Sequence, residues 1–285
     1  VPRTPIYYKS TRCDGTSLYG GTGAWSLPQR RDDGTYIPGA WREVSGELVP
    51  CANGLHGFVA KDLLTWFALD SAVWVLEPAP RTPRRKEYNK VLFQKARLSQ
   101  LVGYVTPVTL IQWVVDGAER ALSVCWSEVL AVTQHRSSRT EELHRLSLSA
   151  IEQADTVLTL IQTYRGQRAA EYFERVARLA HPIRAMAYTL AAPGQPKLYQ
   201  ATGHALRAVF DAAVCLTSHP IGGTAMPPMN RAALALAFTG NRVSTERTWQ
   251  QEQLLWRIRM TPQPWQGELE PPNQARLERI LHVGG

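Results

Sequence analysis

The chain has 285 residues, 44% of them hydrophobic and 20% charged, with a formal net charge of +8. This is ordinary for a globular protein that buries one large core or two modest ones. No apolar run reaches the ~18 residues of a membrane-spanning helix, and the opening VPRTPIYYKSTRCDG lacks a secretory apolar core. The expected partners therefore do not include a membrane, and the expected compartment is the cytoplasm or a particle assembled there.

The first hundred residues read as β-rich. Two short runs, Ile6–Thr11 and Thr16–Tyr19, flank Asp14-Gly15, and Asp-Gly between β-favouring residues signals a hairpin because its turn positions want positive φ. A short strand is expected around Trp41–Val44, a second over 72–78 and a third over 90–102. In that third run alternation puts Val91, Phe93 and Lys95 on one face and Leu92, Gln94 and Ala96 on the other. Between these strands VAKDLLTWFALD is the one good helix candidate, with Leu63, Trp66, Phe67 and Asp70 near helical spacing and Asp62 at its N-terminal end.

From Pro107 the apolar period changes to about 3.6. Val108, Ile111, Val115, Ala118, Leu122, Cys125 and Val129 form one stripe, behind a proline suited to a first helical position. A second stripe runs from Leu143 to Tyr164 and ends at Gly166, and a third spans Arg168 to Ala191 with His181-Pro182 inside it as a kink. Leu198–Leu216 and the PMNRAALALAFT segment give two more helices. A sixth, TERTWQQEQLLWRIRM, is expected to start behind Ser244 and Thr245 as N-caps. The expected fold is α+β: a small, mostly antiparallel sheet with one helix (1–105), an all-α helical bundle (106–262), then a proline-rich strap with a short terminal helix (263–285).

The charge is unevenly placed. Between Arg81 and Arg97 seven basic residues stand against one acid, and across the chain 26 Arg outnumber 6 Lys. Arg81, Arg84, Arg85, Lys86 and Lys90 are the candidates for contact with nucleic acid or an acidic partner, set against the plain reading of a solvated loop.

Cys13, Cys51, Cys125 and Cys215 are scattered with no C-x-x-C, so free buried thiols are expected. Cys51 and His56 are the candidate catalytic residues of a thiol-dependent enzyme. A zinc site wants four ligands and a nucleophilic pair wants a third, orienting group, and one C-x4-H supplies neither. The simpler reading makes Pro50, Asn53-Gly54 and Gly57 a compact turn, with Cys51 and Leu55 tucked beneath it and His56 bonded to its backbone. No metal and no cofactor is expected; G-x-x-x-x-G-K-[ST], H-E-x-x-H and G-x-S-x-G are all missing. Trp113, Trp126, Trp249 and Trp256 sit on apolar stripes as core candidates. Trp249 and Trp256, seven apart, could equally form a ridge facing a partner.

Tyr8-Lys9, Asp14-Gly15, Cys51, Gly54-Leu55-His56, the DLLTWF segment and KVLFQKARL together resemble a small domain of unknown function widespread in phage and bacterial hypothetical proteins. The Ala-rich, Trp-containing helical region, with Glu246–Leu255 near its end, resembles proteins labelled immunity proteins. Neither resemblance implies an activity. A second resemblance is to ADP-ribosyltransferase-like folds, through a Tyr-bearing strand, the Gly54-Leu55-His56-Gly57-Phe58 turn and two closing strands. It implies a late-strand glutamate, for which only Glu77 and Glu87 stand in position. The leading expectation is a non-enzymatic interaction or structural protein, phage- or mobile-element-associated, with a protein partner or a second copy of itself. Nucleic-acid binding through 81–97 is the alternative.

Overall fold

A computed structural model describes residues 5–18, 21, 23–132, 137–162, 170–217, 226–261 and 263–264. The fold is α+β, with an N-terminal sheet region and a C-terminal helical region. Among the described residues, 5–109 together with 251–264 make one compact unit, and 110–250 make the other.

In the first unit the strands are β1 (Tyr7–Arg12), β2 (Gln29–Arg30), β3 (Tyr36–Ile37), β4 (Arg42–Glu43), β5 (Leu55–Gly57), β6 (Ser71–Pro78), β7 (Arg84–Lys86), β8 (Val91–Phe93) and β9 (Lys95–Val105). They form an antiparallel sheet in the order β1-β6-β9-β4, a second in the order β5-β8-β7, and the β2-β3 ribbon. The Asp-Gly turn is present: Gly15 has φ +84°, Arg12 N–H donates to the Thr16 carbonyl at 2.9 Å, and Asp14 Oδ1 accepts from both Thr16 N and Oγ1.

Four expectations for this unit are corrected. The single strand over 90–102 is two, β8 and β9, in different sheets, divided at Gln94. Val91, Leu92 and Phe93 are all buried, so the alternation expected there does not occur; both faces of β8 are covered. The helix over 59–70 shrinks to a 3₁₀ turn and α1 (Leu63–Trp66), because Phe67 turns extended at ψ 151° and β6 begins at Ser71. Arg84–Lys86, expected as loop, is the edge strand β7.

The unit's core joins the two larger sheets: Tyr7, Trp74, Leu76, Ala96 and Leu98 from the first meet Leu55, Val91 and Phe93 from the second. Tyr7 and Phe93 pack edge to face with centroids 4.9 Å apart. Trp74 Nε1 satisfies its donor on Thr11 Oγ1 at 2.8 Å.

The helices are α2 (Pro107–Leu130), α3 (Ser138–Gln162), α4 (Ala170–Leu190), α5 (Lys197–Thr217), α6 (Met226–Phe238) and α7 (Val243–Arg259). Pro107 opens α2 behind Thr106, whose Oγ1 accepts from Thr109 N at 3.1 Å as an N-cap should. In the second unit α3 packs on α4 and α5, α4 on α5 and α5 on α6. Small residues permit this: Ala201, Ala205, Ala208 and Ala212 of α5 are essentially inaccessible. α4 runs through Pro182. α7 begins at Val243, so Ser244 and Thr245 lie inside it and do not cap it. Gly166 and the expected strap and terminal helix of 263–285, apart from residues 263 and 264, lie outside the described residues. No described helix is long and apolar enough to cross a membrane.

Candidate anion-binding cleft

The turn that carries Cys51 is cinched by a side chain. Asn53 Nδ2 donates to the Ser45 and Glu47 carbonyls, each at 2.8 Å, while Asn53 N–H bonds the Val49 carbonyl at 2.9 Å. Cys51 sits at φ +61°, a left-handed conformation that disfavours a non-glycine residue. Gly54 at φ +149° then leads into β5.

β5 pairs with β8 through His56↔Leu92 and Gly57↔Val91, and Phe58 extends it onto β1 by two bonds with Tyr8, at 2.7 and 2.9 Å. This approach needs glycine at position 57. A Cβ there would stand 2.5 Å from Leu76 Cδ2 and 3.2 Å from both Phe93 Cε2 and the Tyr8 carbonyl oxygen.

Beside this junction lies a cleft of about 320 Å³. Lys9 reaches it from β1, Arg42 from β4, His56 from β5, and Lys90 from the residue before β8. No carboxylate stands among the described residues that line it. Lys90 Nζ donates to Cys51 Sγ at 3.1 Å and lies 5.8 Å from the Trp66 ring centroid. The Arg42 guanidinium covers Trp25 at 5.1 Å and donates to the Ala24 carbonyl at 3.2 Å.

The electrostatics follow from this crowding. Burial, then the charges of Arg42 and Lys90, push the Lys9 ammonium down to about 8. Burial, then Lys9 and Lys90, push His56 down to about 4, so the imidazole is neutral at pH 7. Its Nε2 is buried without a hydrogen-bond partner, as is Oγ of Ser10, which also lines the cleft. At pH 7 the cleft therefore holds three cations and a neutral imidazole, an arrangement that a bound anion would relieve.

The sequence candidates divide accordingly. Cys51, His56 and Lys90 line one cleft; Arg81, Arg84, Arg85 and Lys86 do not. Cys51 and Cys13 are exposed, against the expectation of buried thiols, because the left-handed turn carries Cys51 outward; Cys125 and Cys215 are buried. Leu55 alone is tucked beneath the turn, and His56 lends Nε2 to no backbone group. Among the described residues no three His, Cys, Asp or Glu side chains converge as metal ligands would.

Much of the basic run is neutralised by carboxylates, two of them on neighbouring strands. Arg97 makes a two-pronged pair with its register partner Glu77 at 2.8 and 2.9 Å, Lys95 meets Glu43 at 2.7 Å, and Arg85 meets Glu87 at 2.7 Å. Neither Glu77 nor Glu87 lines the cleft. Arg84 and Lys86 stay exposed on β7, and Arg81 occupies a turn at φ +60°.

Of the tryptophans, Trp113 is fully buried and Trp126 and Trp249 are partly buried. Trp256 is 46% exposed and carries Arg257 over its ring, so it is not core.

Lys9, Arg42, Trp25 and Trp66 were not singled out by the sequence as site residues. Lys9 and Trp66 had a signal, the Tyr8-Lys9 pair at the start of β1 and the DLLTWF segment; Arg42 and Trp25 had none. No family model, no curated protein and no solved structure matches this chain. The cleft's own chemistry is therefore what carries a functional reading.

Proposed function

We propose that this chain is a binding protein whose first unit holds an anionic, phosphate-type ligand in the cleft between β1, β4 and β5. The observation that carries the reading is the convergence of Lys9, Arg42 and Lys90 with no carboxylate among the described lining residues. A phosphate would replace cation–cation repulsion with charge-assisted hydrogen bonds, and it would give the orphaned His56 Nε2 a partner. The cavity is at the lower end of the ~300–1,000 Å³ usual for small ligands. Calorimetric titration of pyrophosphate into the full chain at fixed ionic strength tests this. Saturable binding that weakens about 10- to 100-fold in Lys9→Met and in Lys90→Met is expected, the usual loss of a charged hydrogen bond. Binding that is absent, or indifferent to both substitutions, would remove the proposal.

A second reading, nucleic-acid contact through the 81–97 segment, is favoured by Arg84 and Lys86. They are two apart on an edge strand and so share one face, and both are exposed. Affinity that falls steeply with salt and drops in Arg84→Ala/Lys86→Ala supports it; salt-independent or absent binding to DNA and RNA sinks it.

A further inference from the structure

Lys9 occupies a core-facing position of β1. It stands two residues from Tyr7 and two from Thr11, so the three side chains share one face of the strand. Tyr7 packs edge to face on Phe93, and Thr11 accepts the Trp74 indole bond. Both are buried, and Trp74 is the register partner of Lys9 itself. A lysine between them breaks the pattern of the strand, and lysine is seldom buried without an anionic partner. Here the side chain is partly buried and opens into the cleft, where no carboxylate stands among the described lining residues.

That position changes what the amine can do. Burial first, and the like charges of Arg42 and Lys90 second, weaken its hold on the proton. At pH 7 about a tenth of Lys9 is neutral amine, against roughly three in ten thousand for a lysine in water. Desolvation and a neighbouring cation are the two conditions that make lysine a nucleophile toward carbonyl compounds.

We propose, resting on the anion-binding reading above, that Lys9 forms an imine with a small aldehyde or 2-oxo acid that carries a carboxylate or a phosphate. The ammonium first releases a proton to solvent. The nitrogen then bonds the carbonyl carbon, the C=O electron pair moves to oxygen, and one amine proton follows it there. The hydroxyl so formed leaves as water with the second amine proton, and the C=N bond closes. No oxidant or reductant is consumed. A neutral imine removes one of three crowded positive charges, which favours the product here over the same reaction at an exposed lysine. Arg42 over Trp25, and Lys90 against Cys51 and Trp66, keep these contacts and draw the anionic group by their charge. A cleft of about 320 Å³ admits only a short carbon chain.

The test is borohydride trapping on the full chain at pH 7, read by peptide mass mapping. The probes are glyoxylate, glyceraldehyde 3-phosphate and uncharged glyceraldehyde, which separate carboxylate from phosphate and both from no charge. The chain's six lysines compete, five of them as internal controls. One anionic probe should label Lys9 at least about ten-fold faster than any other lysine, well inside the ~300-fold difference in neutral amine. Glyceraldehyde should label Lys9 far more slowly, and pyrophosphate should protect it. Labelling of Lys9 no faster than of exposed Lys86, or equal from charged and uncharged probes, overturns the imine proposal. Calorimetric binding of pyrophosphate would then leave the anion reading standing. If pyrophosphate neither binds nor protects Lys9, both fall. Every arm uses the unaltered chain, so no substitution has to fold for the result to decide.

Discussion

Arg120 donates from Nε to Oε2 of Glu246 at 3.0 Å, and that carboxylate is only 2% exposed. The same guanidinium lies 4.7 Å from the centre of the Trp249 ring. Around it Gln250, fully buried, donates to the Met229 carbonyl at 2.9 Å and accepts from Arg247 at 2.7 Å, while Trp113 Nε1 donates to the Gln250 carbonyl at 2.9 Å. This is a nearly satisfied polar network inside the second unit, and such networks are costly to break at one member.

Replacing Arg120 by Leu strands the Glu246 charge. Loss of one partner of a buried pair costs ~3–5 kcal/mol, and the 41% exposure of Arg120 reduces this to about 2–3 kcal/mol. Burial already raises the Glu246 pKa, and the Arg120 hydrogen bond opposes that rise. A raised carboxyl pKa means stability that is present below the unfolded value and lost as pH rises through the folded one. The Arg120→Leu deficit should therefore shrink on acidification, which urea denaturation at pH 7 and pH 4.5 would detect.

Asn53→Ala removes two bonds to the Ser45 and Glu47 carbonyls. At ~0.5–1.5 kcal/mol each, a loss of about 1–2 kcal/mol in the first unit is expected. The same turn carries Cys51, so pyrophosphate affinity should fall with it. Denaturation and calorimetry on one preparation would compare the two effects.

Gly57→Ala places a methyl 2.5 Å from Leu76 Cδ2, between strands held by the Tyr8–Phe58 bonds. Leu76 is 2% exposed and has little room to yield. Overpacking of this kind costs ~1–3 kcal/mol. Chemical denaturation should find the loss, whereas alanine at the solvent-open Gly194 turn, φ +87°, meets no atom within 4 Å and strains only its own backbone.

Much of the fold was legible because its signals are local. Asp14-Gly15 states its turn in two residues, and α2 is written in the apolar stripe that starts behind Pro107. Where tertiary packing decides, the signal fails. β8 is buried on both faces and so has no alternation to read, and α1 stops at one turn because β6 must begin at Ser71. Gly103 in β9 was silent too, although a Cβ there would collide with the Ile258 carbonyl oxygen at 1.9 Å. The cleft was the least legible part. Lys9, Arg42, His56 and Lys90 come from four separate segments, and only the strand order and the Tyr8–Phe58 bridge bring them together. Lys90 looked like one member of a basic run, yet its neighbours Lys95 and Arg97 are spent on Glu43 and Glu77.

The lowered His56 and Lys9 values also set a pH dependence. For a base whose folded pKa lies below its unfolded value, the unfolded chain binds more protons between the two, so stability rises with pH across that interval. The first unit should lose stability as pH falls from about 6.5 to about 4 through His56, and gain some between about 8 and 10.5 through Lys9. His56→Gln should flatten the acidic limb alone, as thermal melts across pH would reveal.

A bound anion reverses these shifts, and the most direct test of the account is to watch one titrate. The imidazole of His56 can be followed by NMR against pH, in the free chain and with saturating pyrophosphate. His56 should titrate near 4 when free and a unit or more higher when bound, with Lys9→Met raising the free value and reducing the ligand's effect. A His56 titration unmoved by pyrophosphate, while signals elsewhere saturate, would contradict it.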